Sequence, residues 1–185
     1  MADFNLILRD GLQVGAPIIA PAVPLGRWEG TNQGSAVLDN IFDDSLYSYY
    51  TIVGQFLPIT NGANLSAVLR SSTPSDVGGG LIGGLSYSAM LGVGVSGYNV
   101  TYLLPSVSNL STGGITAFKM LLYMGSGGLP HSFFLDLTAY LSTSAWYAIT
   151  VKGAFLDTTA RQGIKFYFSS GNITGWYEVI GHLKQ

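Results

Sequence analysis

GIKFYFSSGNITGWYEVIGHLK, residues 163–184, is the stretch on which the fold turns. In its first part Ile164, Phe166 and Phe168 alternate with Lys165, Tyr167 and Ser169. Successive side chains of a strand point to opposite faces, so a period of two marks a strand with one face buried. Ser169-Ser170-Gly171-Asn172 is turn chemistry: Gly and Asn tolerate positive φ, and Ser hydroxyls bond nearby backbone. The second run, Trp176 to Ile180, is rich in aromatic and β-branched residues, which suit a pleated, half-buried surface. The stretch reads as two short strands joined as a β-hairpin.

The same alternation recurs upstream. Tyr47, Tyr49, Thr51 and Val53 alternate with Ser48, Tyr50 and Ile52, and Leu65, Ala67 and Leu69 with Ser66 and Arg70. Further sets are Leu85 to Leu91, Tyr98 to Leu104, Phe118 to Met124, Phe133 to Leu137 and Tyr147 to Phe155. Turn signals separate them: Thr60-Asn61-Gly62, Pro74-Ser75-Asp76, Pro105, Gly113-Gly114, and Gly125 to Pro130. About nine short strands at this spacing predict an all-β domain, an antiparallel sandwich or barrel with one face of each sheet on the core. Ser35 to Ser45 is the only helix candidate, and it amounts to one turn at most.

Residues 1–34 have a different texture. Pro17, Pro21 and Pro24 space an apolar run that includes Ile18, Ile19, Val23 and Leu25. Proline fixes φ and lacks a donor, which excludes a helix or a central strand. The expectation is an extended arm, close to polyproline II, that docks along a neighbour or folds back on its own domain, with the β-domain filling residues 35–185.

Composition narrows the function classes. Of 185 residues, 48 % are hydrophobic and only 10 % charged, with a formal net charge of −2. So few charges give a monomer little colloidal protection, and burial in an oligomer or larger particle removes that problem. The eight Lys and Arg are scattered, without the basic stripe that phosphate binding needs, so no nucleic-acid partner is expected. The chain has no Cys, hence no disulfide or thiolate metal site, in keeping with synthesis in a reducing cytosol. Met1 to Gln13 lacks a basic region followed by an apolar core, so it is not read as a secretory signal. Val77 to Gly97 is apolar enough to raise a membrane span, but its glycines and Ser86, Tyr87, Ser88 and Ser96 argue against insertion.

Motifs with chemistry are sparse. Gly78 to Gly83 and Gly92 to Gly97 both match G-x-G-x-x-G, but strand-like residues follow the second and no acidic residue lies 20 positions on. In a chain with 25 glycines such matches come from composition, and no cofactor is expected. His131 stands beside Ser132, four residues before Asp136, yet a triad is a matter of geometry rather than adjacency. Asp39, Asp43 and Asp44 form the densest acidic patch; turn and cap duty is the ordinary role of such residues, with a weak Ca²⁺ site as the alternative. No metal site or catalytic set is assigned. Tyr50, Trp146 and Trp176 are the candidate surface aromatics, since Tyr and Trp join apolar area to a polar edge and suit sugar stacking and subunit contact alike.

The closing stretch also resembles something. Phe168, Ser170-Gly171-Asn172-Ile173, Gly175, Gly181 and Leu183-Lys184 are similar to the closing hairpin of β-sandwich proteins from tailed bacteriophages, tail-fibre or other virion surface components. The likeness covers these 22 of 185 residues, and its motif is structural. It implies a jelly-roll-like sandwich in a virion, a homo-oligomer with a trimer favoured, contacts with other virion proteins, and host attachment through a cell-surface glycan. A non-enzymatic tail-fibre-like or tail-associated protein is the leading expectation. A capsid head decoration protein and a carbohydrate-binding β-sandwich module are the alternatives.

Overall fold

The computed structural model describes residues 21–70, 82–89, 92–95, 110–125, 131–140, 146–155 and 161–184. These residues form eleven strands and no helix: β1 (Ala22–Gln33), β2 (Ala36–Leu38), β3 (Tyr47–Pro58), β4 (Leu65–Arg70), β5 (Ile82–Ala89), β6 (Gly92–Val95), β7 (Thr116–Tyr123), β8 (His131–Tyr140), β9 (Trp146–Phe155), β10 (Gly163–Phe168) and β11 (Ile173–Leu183). No helix among them is long and apolar enough to cross a membrane, a statement about helices alone.

The strands make two antiparallel sheets packed face to face. The larger has eight strands in the order β1-β11-β3-β7-β8-β9-β5-β6, and the smaller has three, β2-β10-β4. The protein is an all-β antiparallel sandwich, as the alternation predicts. On β7, Phe118, Met120 and Leu122 are buried while Ala117 and Lys119 face out; on β8, Phe133, Leu135 and Leu137 are buried while Phe134, Asp136 and Thr138 face out. The inner face of the large sheet meets Leu65, Ala67, Leu69, Ile164, Phe166 and Phe168 of the small one. At the centre, Phe56 lies 5.1 Å from Phe118, 5.5 Å from Phe166 and 6.1 Å from Tyr177 between ring centroids, in tilted and edge-on arrangements. Such pairs each add about 0.5–1.5 kcal/mol beyond the area they bury.

The closing stretch is not a hairpin. β10 pairs with β2 and β4 in the small sheet, whereas β11 pairs with β1 and β3 in the large one. The turn between them therefore arches across the core. Facing rather than neighbouring positions join the two strands: the Phe166 and Tyr177 rings are 5.0 Å apart, and the Tyr177 hydroxyl donates to the Ile164 carbonyl at 3.2 Å. Both strands bury one apolar face, and their places in opposite sheets set those faces against each other across the core. The turn follows its chemistry, with Gly171 at φ +73°. It is anchored by Ser169 N–H to the Asn64 carbonyl at 2.9 Å and by the Asn172 amide to Asn32 Oδ1 at 2.9 Å.

Of the arm expected over residues 1–34, only residues 21–34 are described, and they lie along their own domain. From Ala22 to Gln33 the chain is β1, an edge strand paired along β11. Pro24 is tolerated because an edge strand has one unpaired side, and a register irregularity follows between Pro24 and Gly26. Leu25 and Trp28 pack on the core, with Trp28 6.2 Å from Tyr177 in a stacked arrangement. Pro21, Val23, Pro24 and Leu25 thus lie at the start of the sandwich itself, while Pro17, Ile18 and Ile19 lie outside the described residues. So does the strand expected at Tyr98 to Leu104. The Ser35 to Ser45 segment supplies the short strand β2 and a turn.

Candidate functional site

The outer face of the large sheet gathers most of the chemistry. Antiparallel register sets its side chains in cross-strand rows. One row runs Glu29, Trp176, Gln55, Ala117, Thr138, Ala148, and the next Arg27, Glu178, Val53, Lys119, Asp136, Thr150. Over these two rows the face carries a concavity of about 710 Å³, within the roughly 300–1,000 Å³ of small-molecule sites. Trp176, Gln55, Lys119, Asp136, Thr138 and Thr150 line it. The Arg27 guanidinium sits 4.5 Å from the Trp176 ring centroid and pairs with Glu29 at 3.0 Å, which fixes the indole from the β1 side. The Thr150 hydroxyl donates to Asp136 Oδ1 at 2.6 Å, orienting that carboxylate.

The next two rows are richer in aromatic and apolar side chains. Ile180, Thr51, Leu121, Phe134 and Lys152 follow one another across the strands, with His182, Tyr49, Tyr123 and Ser132 beyond them. His182 stacks on Tyr49 with centroids 4.1 Å apart and planes 11° apart, and its Nε2 shares a 2.8 Å hydrogen bond with Thr51 Oγ1. Burial, then the nearby Lys119 charge, holds the His182 imidazole below its usual pKa. Tyr123 and Phe134 are 42 % and 41 % exposed, and the Lys152 ammonium lies 4.6 Å from the Phe134 ring centroid.

The sequence-predicted site residues divide. Trp176 stands in the concavity. Trp146 is 60 % exposed on the outward positions of β9, its ring 5.2 Å from Tyr140. Tyr50 is corrected: it is fully buried, and its hydroxyl accepts the Asp43 N–H at 2.7 Å. Burial pushes its pKa up to about 12. Three tyrosines in Tyr47-Ser48-Tyr49-Tyr50 put rings on both faces, and only packing decides that Tyr49 takes the outer one. Gln55, Lys119, Thr138 and Thr150 were not singled out by sequence; each is an unremarkable outward residue until register aligns four strands.

Other motifs resolve into structural roles. His131 is 1 % exposed, and its Nδ1 accepts the Gly125 N–H at 3.0 Å, while its neighbour Ser132 faces solvent on the opposite side of β8. Gly92 to Val95, the start of the second glycine motif, is an edge strand on β5 rather than a helix entrance. Asp39 forms an ion pair with Arg70 at 2.6 Å, and Asp43 accepts the Ser45 N–H at 2.9 Å. No three His, Asp or Glu side chains come together as a metal site among the described residues. Glu178 and Asp136 share a row three strands apart, roughly 14 Å at the usual strand spacing. That exceeds the roughly 5–9.5 Å between carboxyls that act together on a glycosidic bond.

No family model and no curated protein matches the chain. Among solved structures, the catalytic domain of the glycoside hydrolase family 131 protein from Coprinopsis cinerea is similar at 6 % identity, over 75 % of this chain and 68 % of that one, with a TM-score of 0.19. A superposition at that level carries no argument about fold or activity.

Proposed function

We propose that this chain is a non-enzymatic structural protein of a phage virion, tail-fibre-like or tail-associated, that assembles as a homo-oligomer and contributes to host attachment. The observation that carries the reading is the aromatic half of the outer face. Tyr123 and Phe134 stand over 40 % exposed there, beside Leu121, Ile180 and Tyr49. Contiguous apolar surface of this kind marks contact with another protein. The low charge of the chain supports an oligomer, and the closing stretch contributes its sequence resemblance alone, since β10 and β11 do not form a hairpin. The trimer and the virion setting come from that resemblance. Mass spectrometry of purified virions tests it: the protein is expected among their components, and its absence would sink the reading.

The polar half of the same face favours a second reading, a carbohydrate-binding module acting as a free monomer. Light scattering separates the two. An oligomer at micromolar concentration favours the particle protein, and a monomer that binds glycan favours the module.

A further inference from the structure

The concavity around Trp176 has a chemistry of its own, distinct from the apolar rows beside it. It offers one large aromatic surface together with hydrogen-bonding groups of both senses. Gln55 supplies a donor and an acceptor, Thr138 and Thr150 are hydroxyls, Lys119 donates, and Asp136 accepts. Lys119 stands against Asp136 and Arg27 is paired with Glu29, with Glu178 in the same row, so the lining carries no excess of positive charge. A phosphate-bearing ligand calls for excess positive charge, and a lipid tail calls for a lining apolar throughout, whereas here Val53, Ala117 and Ala148 are interspersed with charged and hydroxyl side chains. A sugar calls for what is present: an aromatic platform for its C–H face, and mixed donors and acceptors for its hydroxyls.

We infer that this concavity binds a neutral oligosaccharide, with one sugar stacked on Trp176 and its hydroxyls held by Gln55, Asp136 and Thr138. The inference deepens the host-attachment part of the function proposed above and rests on that reading for its biological setting. Thr150 commits Asp136 Oδ1, which leaves Oδ2 to accept from a sugar hydroxyl. With no excess of positive charge here to hold the carboxylate of a uronic or sialic acid, the ligand is neutral. Its length follows from the register. Trp176 on β11 and Trp146 on β9 lie four strands apart on one face, about 20 Å by strand spacing. With Trp146 60 % exposed, a chain of sugars running across the strands reaches a second platform.

The test uses the full chain on an array of neutral and acidic bacterial polysaccharide fragments of graded length, followed by calorimetry on the fragments that bind. Neutral fragments are expected to bind, with longer ones tighter. Trp176→Ala is expected to weaken every length by about tenfold or more, a loss that corresponds to about 1.4 kcal/mol. Gln55→Ala, an outward substitution that leaves the core intact, is expected to weaken binding in the same direction. Trp146→Ala is expected to remove only the gain that longer fragments show. Preference for acidic fragments overturns the inference, as does binding unchanged by both Trp176→Ala and Gln55→Ala. No neutral binding by a protein found in virions defeats this inference alone. Trp176-dependent binding by a protein absent from virions defeats the virion assignment alone.

Discussion

His182 is the side chain whose surroundings make the clearest statement about pH. It lies between the Tyr49 ring and the Thr51 hydroxyl, with Lys119 the charge that acts on it. Burial and that charge disfavour the imidazolium, so the folded pKa lies below the ordinary 6.5. Between the two values the unfolded chain holds a proton that the fold rejects, so this contribution to stability is complete above about pH 6.5 and is lost as pH falls through the folded pKa. Asp43, whose pKa is lowered first by the Ser45 hydroxyl and then by the Ser45 N–H, acts below 3.8, outside that window. The urea midpoint is therefore expected to drop as pH is lowered below about 6.5, and His182→Gln to flatten that part of the profile. An identical slope in the variant would show that His182 does not set it.

At the scale of the element, β11 depends on one glycine. Gly175 holds φ +141°, and a Cβ there would stand 2.1 Å from the Gln55 carbonyl oxygen of β3. Backbone cannot yield as a side-chain tip can, so any larger residue pushes β11 off its neighbour at the position beside Trp176. Gly175→Ala is expected to cost roughly 3 kcal/mol, from strained φ and the lost approach together. Gly34 is the control, because nothing lies within 4 Å of a Cβ built on it. Gly34→Ala should leave the denaturant midpoint within the error of wild type, and equal effects at the two sites would contradict this account. The long edge strand β1 is managed by similar local means: Pro24, Arg27 and Glu29 blunt its free side against further strand pairing.

For the molecule as a whole, the large sheet is split into a polar half and an aromatic half, and the small sheet closes the other side of the core. With only 10 % charged residues, the fold has little to keep copies apart. The proposed oligomer makes a direct prediction. Replacing Tyr123 and Phe134 together by Ser removes the most exposed rings of the aromatic half without entering the core, and should lower the mass seen by light scattering toward the 19.6 kDa monomer. An unchanged oligomer would move the interface to another surface.

Alternation of apolar and polar residues is a local property, and it was enough to give the strands β3, β4, β5 and β7 to β11 and the all-β class. The turn at Gly171 and the Asp43 turn with Ser45 followed from equally local chemistry, whereas the burial of His131 in β8 and the pairing of Asp39 with Arg70 did not. Partner choice is not local. That β10 and β11 lie in different sheets, that Ala22 to Gln33 is an edge strand despite Pro24, and that Tyr50 points inward where Tyr49 points out were decided by which apolar face meets which across the core. β2 and β6 are too short to leave a periodic signal. Trp176, like Trp146, stood out in the sequence because a large aromatic with a polar edge does. Gln55, Lys119, Asp136 and Thr138 became its companions only when register brought four strands into line, since residues far apart in the chain become neighbours through tertiary pairing alone.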